Sequence, residues 1–377
     1  MDSSEDCKVL NKNTNMTVTE QPLHPWLKKY RRWLRVSFYI IFLLIGQCTA
    51  TFLGRLYFEK GGNSKWISTF VQSAGFPILI PLLFYFQKHV KLTNMPNHDS
   101  SKTKPKRSIL FSLYIAFGLI LTWNDLMYSY GLLYLPLSTF VLICATQLAF
   151  SATFSFFLNS QRLTPLIFNS IVLLTMSVSL LATNADSEHT KGIIPKEKHI
   201  IGFFCTLAAS ATFSLHHSLV QLSFEKVIKT ETFSSILDMQ FYTSFIAASA
   251  SIVGLFASGE WKTLDREMKE FENGRVSYIM TLLWISVIWQ ISYIGMLGLI
   301  SEVSSLFSIV IGTLELPISP FLAVIVFHDK VNGVKIIALL LAVWGFLSYI
   351  YQHYLDDQNA KKNKSYVLEV SKGEVEI

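Results

Sequence analysis

Between residues 36 and 354 the chain returns repeatedly to apolar runs of about 20 residues, the length a helix needs to cross the hydrocarbon layer of a bilayer. Ten runs can be marked: 36–57, 66–86, 108–130, 136–157, 165–182, 200–222, 240–257, 277–298, 303–327 and 334–354. The fifth and seventh are short and rich in Ser and Thr. Polar stretches interrupt the series. Loop 87–107 holds Lys88, Lys91, Lys102, Lys104, Lys106 and Arg107, and the stretch from Ala257 to Val276 carries nine charges. Only 15% of the 377 residues are charged, against roughly 25% in soluble domains, which need them to wet their surface. Most of the outside must therefore face lipid. The expected class is an all-α polytopic membrane protein.

The formal charge of +6 sits in tails and loops, so no nucleic-acid groove is expected. Cys7, Cys48, Cys144 and Cys205 lie too far apart to read as a disulfide framework or a zinc site. Residues 1 to 27 lack an apolar core, which argues against a cleavable signal peptide.

Lys and Arg favour the cytoplasmic ends of membrane spans. With ten spans and both termini inside, 17 basic residues fall on the inner side and 12 on the outer. The two densest clusters, Lys28 to Arg35 and loop 87–107, are both inside. The first, interleaved with Tyr30 and Trp33, reads as an anchor on an anionic leaflet. The glycosylation patterns at Asn15 and Asn363 lie in these tails and are expected to be unused. The domain reading follows: a cytoplasmic tail 1–35, five helices in 36–182, an external loop 183–199, five helices in 200–354, and a cytoplasmic tail 355–377.

Laying 131–181 over 298–348 without a gap gives nine identities, among them Gly131/Gly298, Ser138/Ser305, Phe140/Phe307 and Thr146/Thr313. In both copies a Gly-Leu pair precedes a Ser-containing span, a short turn and a final span. Five is odd, so two five-helix units must sit in opposite orientations. Inverted repeats of this kind build many secondary transporters, whose site lies at the midplane between the halves.

The run from Asn124 through Asp125, Tyr128, Gly131, Pro136 and Ser138 to Thr139 continues to Gln147-Leu148-Ala149-Phe150 and Gln161-Arg162-Leu163-Thr164-Pro165. Together with Met239-Gln240, Trp289-Gln290, Ser304-Ser305-Leu306, Leu316-Pro317, Phe327-His328-Asp329-Lys330 and Trp344-Gly345, it closely resembles the plant purine permease family, a branch of the drug/metabolite transporter superfamily. The resemblance spans residues 36 to 354 and departs from the pattern at Glu315, where an apolar residue is expected. It implies proton-coupled uptake of adenine-like bases, cytokinins and related heterocycles, driven by the proton gradient with no bound cofactor; the plasma membrane is the expected location, with the tonoplast and the endoplasmic reticulum as alternatives.

Charges inside spans are costly and mark functional sites. Asp125 falls in the outer third of the third span and Glu315 at mid-depth in the ninth; either can be the carboxyl that carries a proton. The plainer alternatives are a wetted interfacial Asp and a Glu bonded to a neighbouring helix. Gln147 and Gln290 fall near the midplane, and Gln147 and Glu315 lie within one residue of each other in the repeat register. A side-chain amide offers a donor beside an acceptor, matching the N6/N7 edge of adenine. Aromatic rings can cover a base's faces at about 1–3 kcal/mol; Trp289, Trp123, Tyr128, Phe140 and Phe307 are candidates. Against these readings stand an interhelical bond, typically worth about 0.6 kcal/mol, and ordinary packing. Asn124 is expected to orient Asp125 or to meet substrate, and Gln240 to cap the seventh span at the interface. His216 and His217 are adjacent, hence about 100° apart on a helix, and make a poor metal pair. Pro317 and Pro320 free backbone carbonyls beside Glu315, tolerated only against protein or a water-filled cavity.

There is no P-loop, Gly-x-Ser-x-Gly or His-Glu-x-x-His motif. A nucleotide-sugar or organic-phosphate exchanger would need Lys or Arg within the spans, which have almost none. A membrane-embedded enzyme would need paired acids or His ligands. A non-transporting receptor is the third alternative.

Overall fold

The structure is a computed structural model that describes residues 25–93, 107–135, 140, 143–144, 146–160, 164–186, 196–229, 233–272, 274–315, 333–334, 336–352 and 355. Among these residues every regular element is helical. The helices are α1 (Pro25–Glu59), α2 (Lys65–Ala74), α3 (Leu79–Thr93), α4 (Arg107–Tyr134), α5 (Thr146–Asn159), α6 (Pro165–Asp186), α7 (Lys196–Ser223), α8 (Phe233–Ser258), α9 (Leu264–Glu270), α10 (Gly274–Glu302) and α11 (Ser305–Thr313). A further apolar helix, α12, covers Ile336–Gln352.

Among the described residues six segments are long and apolar enough to cross a membrane: Tyr30–Phe58, Lys65–Phe86, Arg107–Tyr134, Ile200–Ile228, Phe233–Ser258 and Gly274–Glu302. They coincide with the first, second, third, sixth, seventh and eighth apolar runs. The second is not one straight helix. Pro77 has no N–H to give and sits in a 3-10 turn, Phe76–Ile78, between α2 and α3. The seventh starts at Phe233, earlier than its apolar run, because Ile236 and Leu237 are already fully buried there. Helices α5, α6, α11 and α12 overlap the remaining runs. Pro136, Pro317 and Pro320 lie outside the described residues.

The distribution of side chains is that of a protein in lipid. Phe38, Phe42, Phe84, Phe111, Phe157, Phe204, Phe256, Trp284 and Trp344 all point outward, whereas Ser151, Ser155, Ser177, Ser210, Ser214 and Ser251 are sealed inside. Small residues at helix contacts let backbones approach where lipid removes any hydrophobic drive to associate. The chain is a multi-pass membrane protein.

Helix α1 runs against α10, α4 packs on α7 and α8, and α2 on α8 and α10. The α1–α10 seam is the closest. A Cβ added at Gly46 would stand 2.9 Å from the Ser292 backbone, and one at Gly295 would stand 2.6 Å from Leu43 N. At one end of the seam Arg35 Nε donates to Glu302 Oε1 at 2.7 Å, and Arg32 adds a bond to the Glu302 carbonyl. At the other end the loop between α8 and α10 folds over the α1–α2 turn. Ser64 Oγ and the Trp66 amide donate to Glu260, Lys65 pairs with it at 3.3 Å, and Glu267 of α9 is buried. The Tyr57 and Tyr278 hydroxyls both donate to Glu267 Oε1. This stretch reads as a solvated loop in sequence. It is a clasp.

Candidate functional site

The middle of α4 carries the least compatible residues in the protein. Asn124 and Asp125 are both almost completely buried, on the α4 face that also buries Phe117 and Leu121 at helical spacing. Trp123, one residue earlier, points outward instead and is 55% exposed, which removes it as a stacking candidate in this conformation. Asn124 supplies a side-chain hydrogen bond to Asp125. Asn124 Oδ1 and Asp125 Oδ2 have no partner among the described residues. Buried polar groups are almost always hydrogen-bonded, and an unmet one costs about 1–3 kcal/mol. Two on adjacent residues call for a functional explanation.

Around them three other helices converge. Tyr293 of α10 lies within electrostatic range of Asp125, and Trp289, one turn earlier, stacks on Tyr293 with centroids 5.4 Å apart. Tyr128 meets Phe140 at 5.9 Å and Phe213 of α7 at 6.3 Å, both edge-on, and shares a hydrogen bond with Ser210. A small cavity lies beside this group. Leu121 of α4, His216 and Val220 of α7, Met239, Gln240 and Thr243 of α8, and Tyr293, Met296 and Leu297 of α10 form its wall. It has room for about one water molecule.

The residues singled out in sequence divide accordingly. Asn124, Asp125, Tyr128, Phe140 and Trp289 are brought into one neighbourhood. Gln290 stands at its edge, but its amide is occupied. Nε2 donates to the Ser73 carbonyl at 3.2 Å and to Ser244 Oγ at 3.4 Å, while Oε1 accepts from Gln240 Nε2 at 2.9 Å. These bonds tie α10 to α2 and α8. Gln147 is buried one helical turn from Cys144 along the α5–α7 seam, where its carbonyl takes the Ser214 hydroxyl at 2.8 Å. Glu315 bonds Thr51 and Gln47 of α1. Cys144 lies close enough to interact with both Glu315 and Tyr128, so the polar band continues from one carboxyl towards the other. Phe307 is packed in the core beside Tyr349, 6.0 Å away, apart from this group.

Gln240 departs from its expected place at the interface. It is 2% exposed, and both its amide hydrogens are used, on Ser244 Oγ and Gln290 Oε1. Its physical setting is helix–helix contact, because α8 starts two turns earlier than the apolar run suggests. Among the described residues no three His, Cys, Asp or Glu side chains cluster as a metal site would require.

A bundle of apolar helices that buries carboxyls, amides and aromatic rings near a small cavity is the arrangement of a membrane carrier of small molecules. The profile describing purine nucleobase transmembrane transport matches residues 34–359. The chain is 52% identical over 335 residues to "Probable purine permease 10" of Arabidopsis thaliana, covering 89% of this chain and 84% of that one. It is likewise 52% identical to "Purine permease 21" and 49% identical to "Probable purine permease 11" of the same plant, covering 89% of this chain each time and 84% and 87% of theirs. The chain belongs to the purine nucleobase transporter family, whose named relatives are permeases and not enzymes. One solved crystal structure superposes with a TM-score of 0.56 at 13% identity, covering 85% of this chain and 96% of that one, a likeness of fold alone.

Proposed function

We propose that this protein carries purine bases and related heterocycles, such as adenine and cytokinins, across the plasma membrane by proton symport. Its ten helices would form two inverted five-helix halves with both termini in the cytoplasm. The observation that carries the reading is the pair of oxygens on Asn124 and Asp125 without partners among the described residues, close to Tyr128 and Tyr293, on which Phe140 and Trp289 pack, and near a small cavity that Tyr293 lines. A flat base with polar edges and apolar faces satisfies both needs of such a place. Family membership supports the purine as cargo. Helices α5, α6, α11 and α12, overlapping the four remaining runs, support the ten-helix count.

In this reading Asp125 is the proton-carrying carboxyl next to substrate. Glu315, already bonded to Gln47 and Thr51, is the second candidate. Gln147 extends the polar wall along α5, and Gln290 holds α10 in place behind Trp289. No cofactor is needed beyond the proton gradient. The phosphate-exchanger alternative loses ground because the buried polar side chains near the cavity are Asn, Asp, Gln, His and Thr, with no cation among them.

The test is uptake of labelled adenine by cells lacking their own purine carriers, with and without a protonophore and across external pH. Accumulation that is stronger in acid and abolished by the protonophore is expected. Protein present in the membrane with uptake no greater than empty cells would overturn the proposal. Exchange without accumulation in Asp125→Asn would identify the coupling carboxyl; the same phenotype in Glu315→Gln alone would move that role to α11.

A further inference from the structure

We infer that His216 is a specificity-determining residue of the carrier, its Nε2 meeting a ring nitrogen of the bound base; the inference rests on the purine reading above. The histidine pair on α7 is the starting point. Neighbours on a helix point about 100° apart, so His216 and His217 cannot share one task. His217 is consumed by the fold. Its Nδ1 donates to the Phe213 carbonyl at 2.9 Å, and its ring lies 4.1 Å from that of Phe213. His216 is different. It is 6% exposed, it lines the cavity, and its Nε2 has no partner among the described residues.

Nothing about the His216 ring suggests looseness. Phe117 of α4 meets it edge-on at 5.3 Å and 84°, and the His217 ring stands 6.0 Å away on its other flank. The ring is held while one of its nitrogens is left over. On the same wall, Thr243 gives its hydroxyl proton to the carbonyls of Met239 and Gln240, and Gln240 gives both amide hydrogens to its neighbours. Besides the Tyr293 hydroxyl, the wall is therefore poor in available donors, and the imidazole can supply one or accept one, according to tautomer. A purine ring presents unprotonated nitrogens and one N–H in its plane. Matching either with Nε2 removes an unmet polar atom from both partners at once, which is where discrimination between close analogues is largest. The present free space holds about one water, so loading requires α8 and α10 to part from α4 and α7. His216, anchored against Phe117, would stay with α4 and α7.

The test measures binding of labelled adenine to the purified full-length protein and its displacement by 1-deaza-, 3-deaza- and 7-deazaadenine. Each analogue replaces one ring nitrogen by C–H at nearly unchanged shape. At least one should bind the wild type about 5- to 150-fold more weakly than adenine, the range for one buried hydrogen bond. In His216→Leu that single penalty should fall below about threefold while the ratios for the other analogues hold. His216→Gln, whose amide reaches the Nε2 position, should recover part of it, and His216→Asn, one bond shorter, should not. If His216→Leu does not fold, His216→Gln decides, since its penalty must differ from the wild type's. Penalties that survive unchanged in the variants, in a protein that binds adenine, would overturn this inference alone. A wild type that binds no adenine would overturn the purine reading and this inference with it.

Discussion

Two buried polar assemblies in this protein are built by opposite rules. At the α1–α2 turn, Tyr57, Ser64, Glu260, Glu267 and Tyr278 are tied to one another, and none of their fully buried polar atoms is left over. At mid-length of α4, Asn124 and Asp125 are buried as deeply, and each keeps an oxygen without a partner. Both are costly to desolvate. The clasp recovers the cost within the fold; the α4 pair leaves it to be met by something that arrives. Burial of a carboxyl therefore identifies nothing on its own. The state of its hydrogen-bonding capacity is what separates a brace from a site.

The contrast breaks most sharply at Asp125. Asp125→Asn should reduce concentrative adenine uptake by about 10- to 150-fold, the equivalent of about 1.5–3 kcal/mol for one charge-assisted contact. Its thermal midpoint should match or exceed the wild type's, since the amide oxygen can keep the bond from Asn124 and the oxygen it replaces has no partner among the described residues. A large fall in midpoint with normal uptake would invert the assignment. Glu267→Ala should do the reverse. It strands two tyrosine hydroxyls, so the unfolding midpoint in detergent should drop by several degrees, about 1–3 kcal/mol, with adenine affinity changed less than threefold. Gln290→Leu lies between the two. It cuts the ties to Ser73, Ser244 and Gln240, each worth about 0.6 kcal/mol in a membrane, and should cost about 1–2 kcal/mol of stability with a modest loss of affinity. An unchanged midpoint with lost binding would return Gln290 to the substrate's side. The smallest perturbation tests sidedness. A Cys at the exposed position Arg266 should be labelled from outside intact cells, and one at Ser101 should not. The opposite pattern would reverse the orientation. Glu267 itself, being buried, would be a poor probe.

The six long spans were legible because length and apolarity are local properties that a window of 20 residues contains. The break in the second was legible too, from Pro77. What could not be read is pairing between distant positions. Gln240 and Gln290 are 50 residues apart and spend their amides on each other, yet each alone looks like a group awaiting a ligand. Glu267 sits among eight other charges and reads as solvated, because its partner Tyr57 lies 210 residues away. Asp125 was legible as costly, but its unmet oxygen was not. His216 was visible as half of a pair, and a pair suggests metal; only the Phe213 carbonyl taking up His217 leaves the other ring to act alone.

The α1–α10 seam has a mechanical consequence. Two helices in backbone contact at Gly46 and Gly295, pinned by Glu302 at one end and by the Glu267 clasp at the other, cannot slide past or swing away from each other without breaking several contacts together. They form a single beam. Whatever motion opens the interior must then be borne by the surfaces facing that beam, where α4, α7 and α8 meet it around Asp125. Stitching α1 to α10 would leave the pump running, while a single bridge from α4 to α10 would stop it.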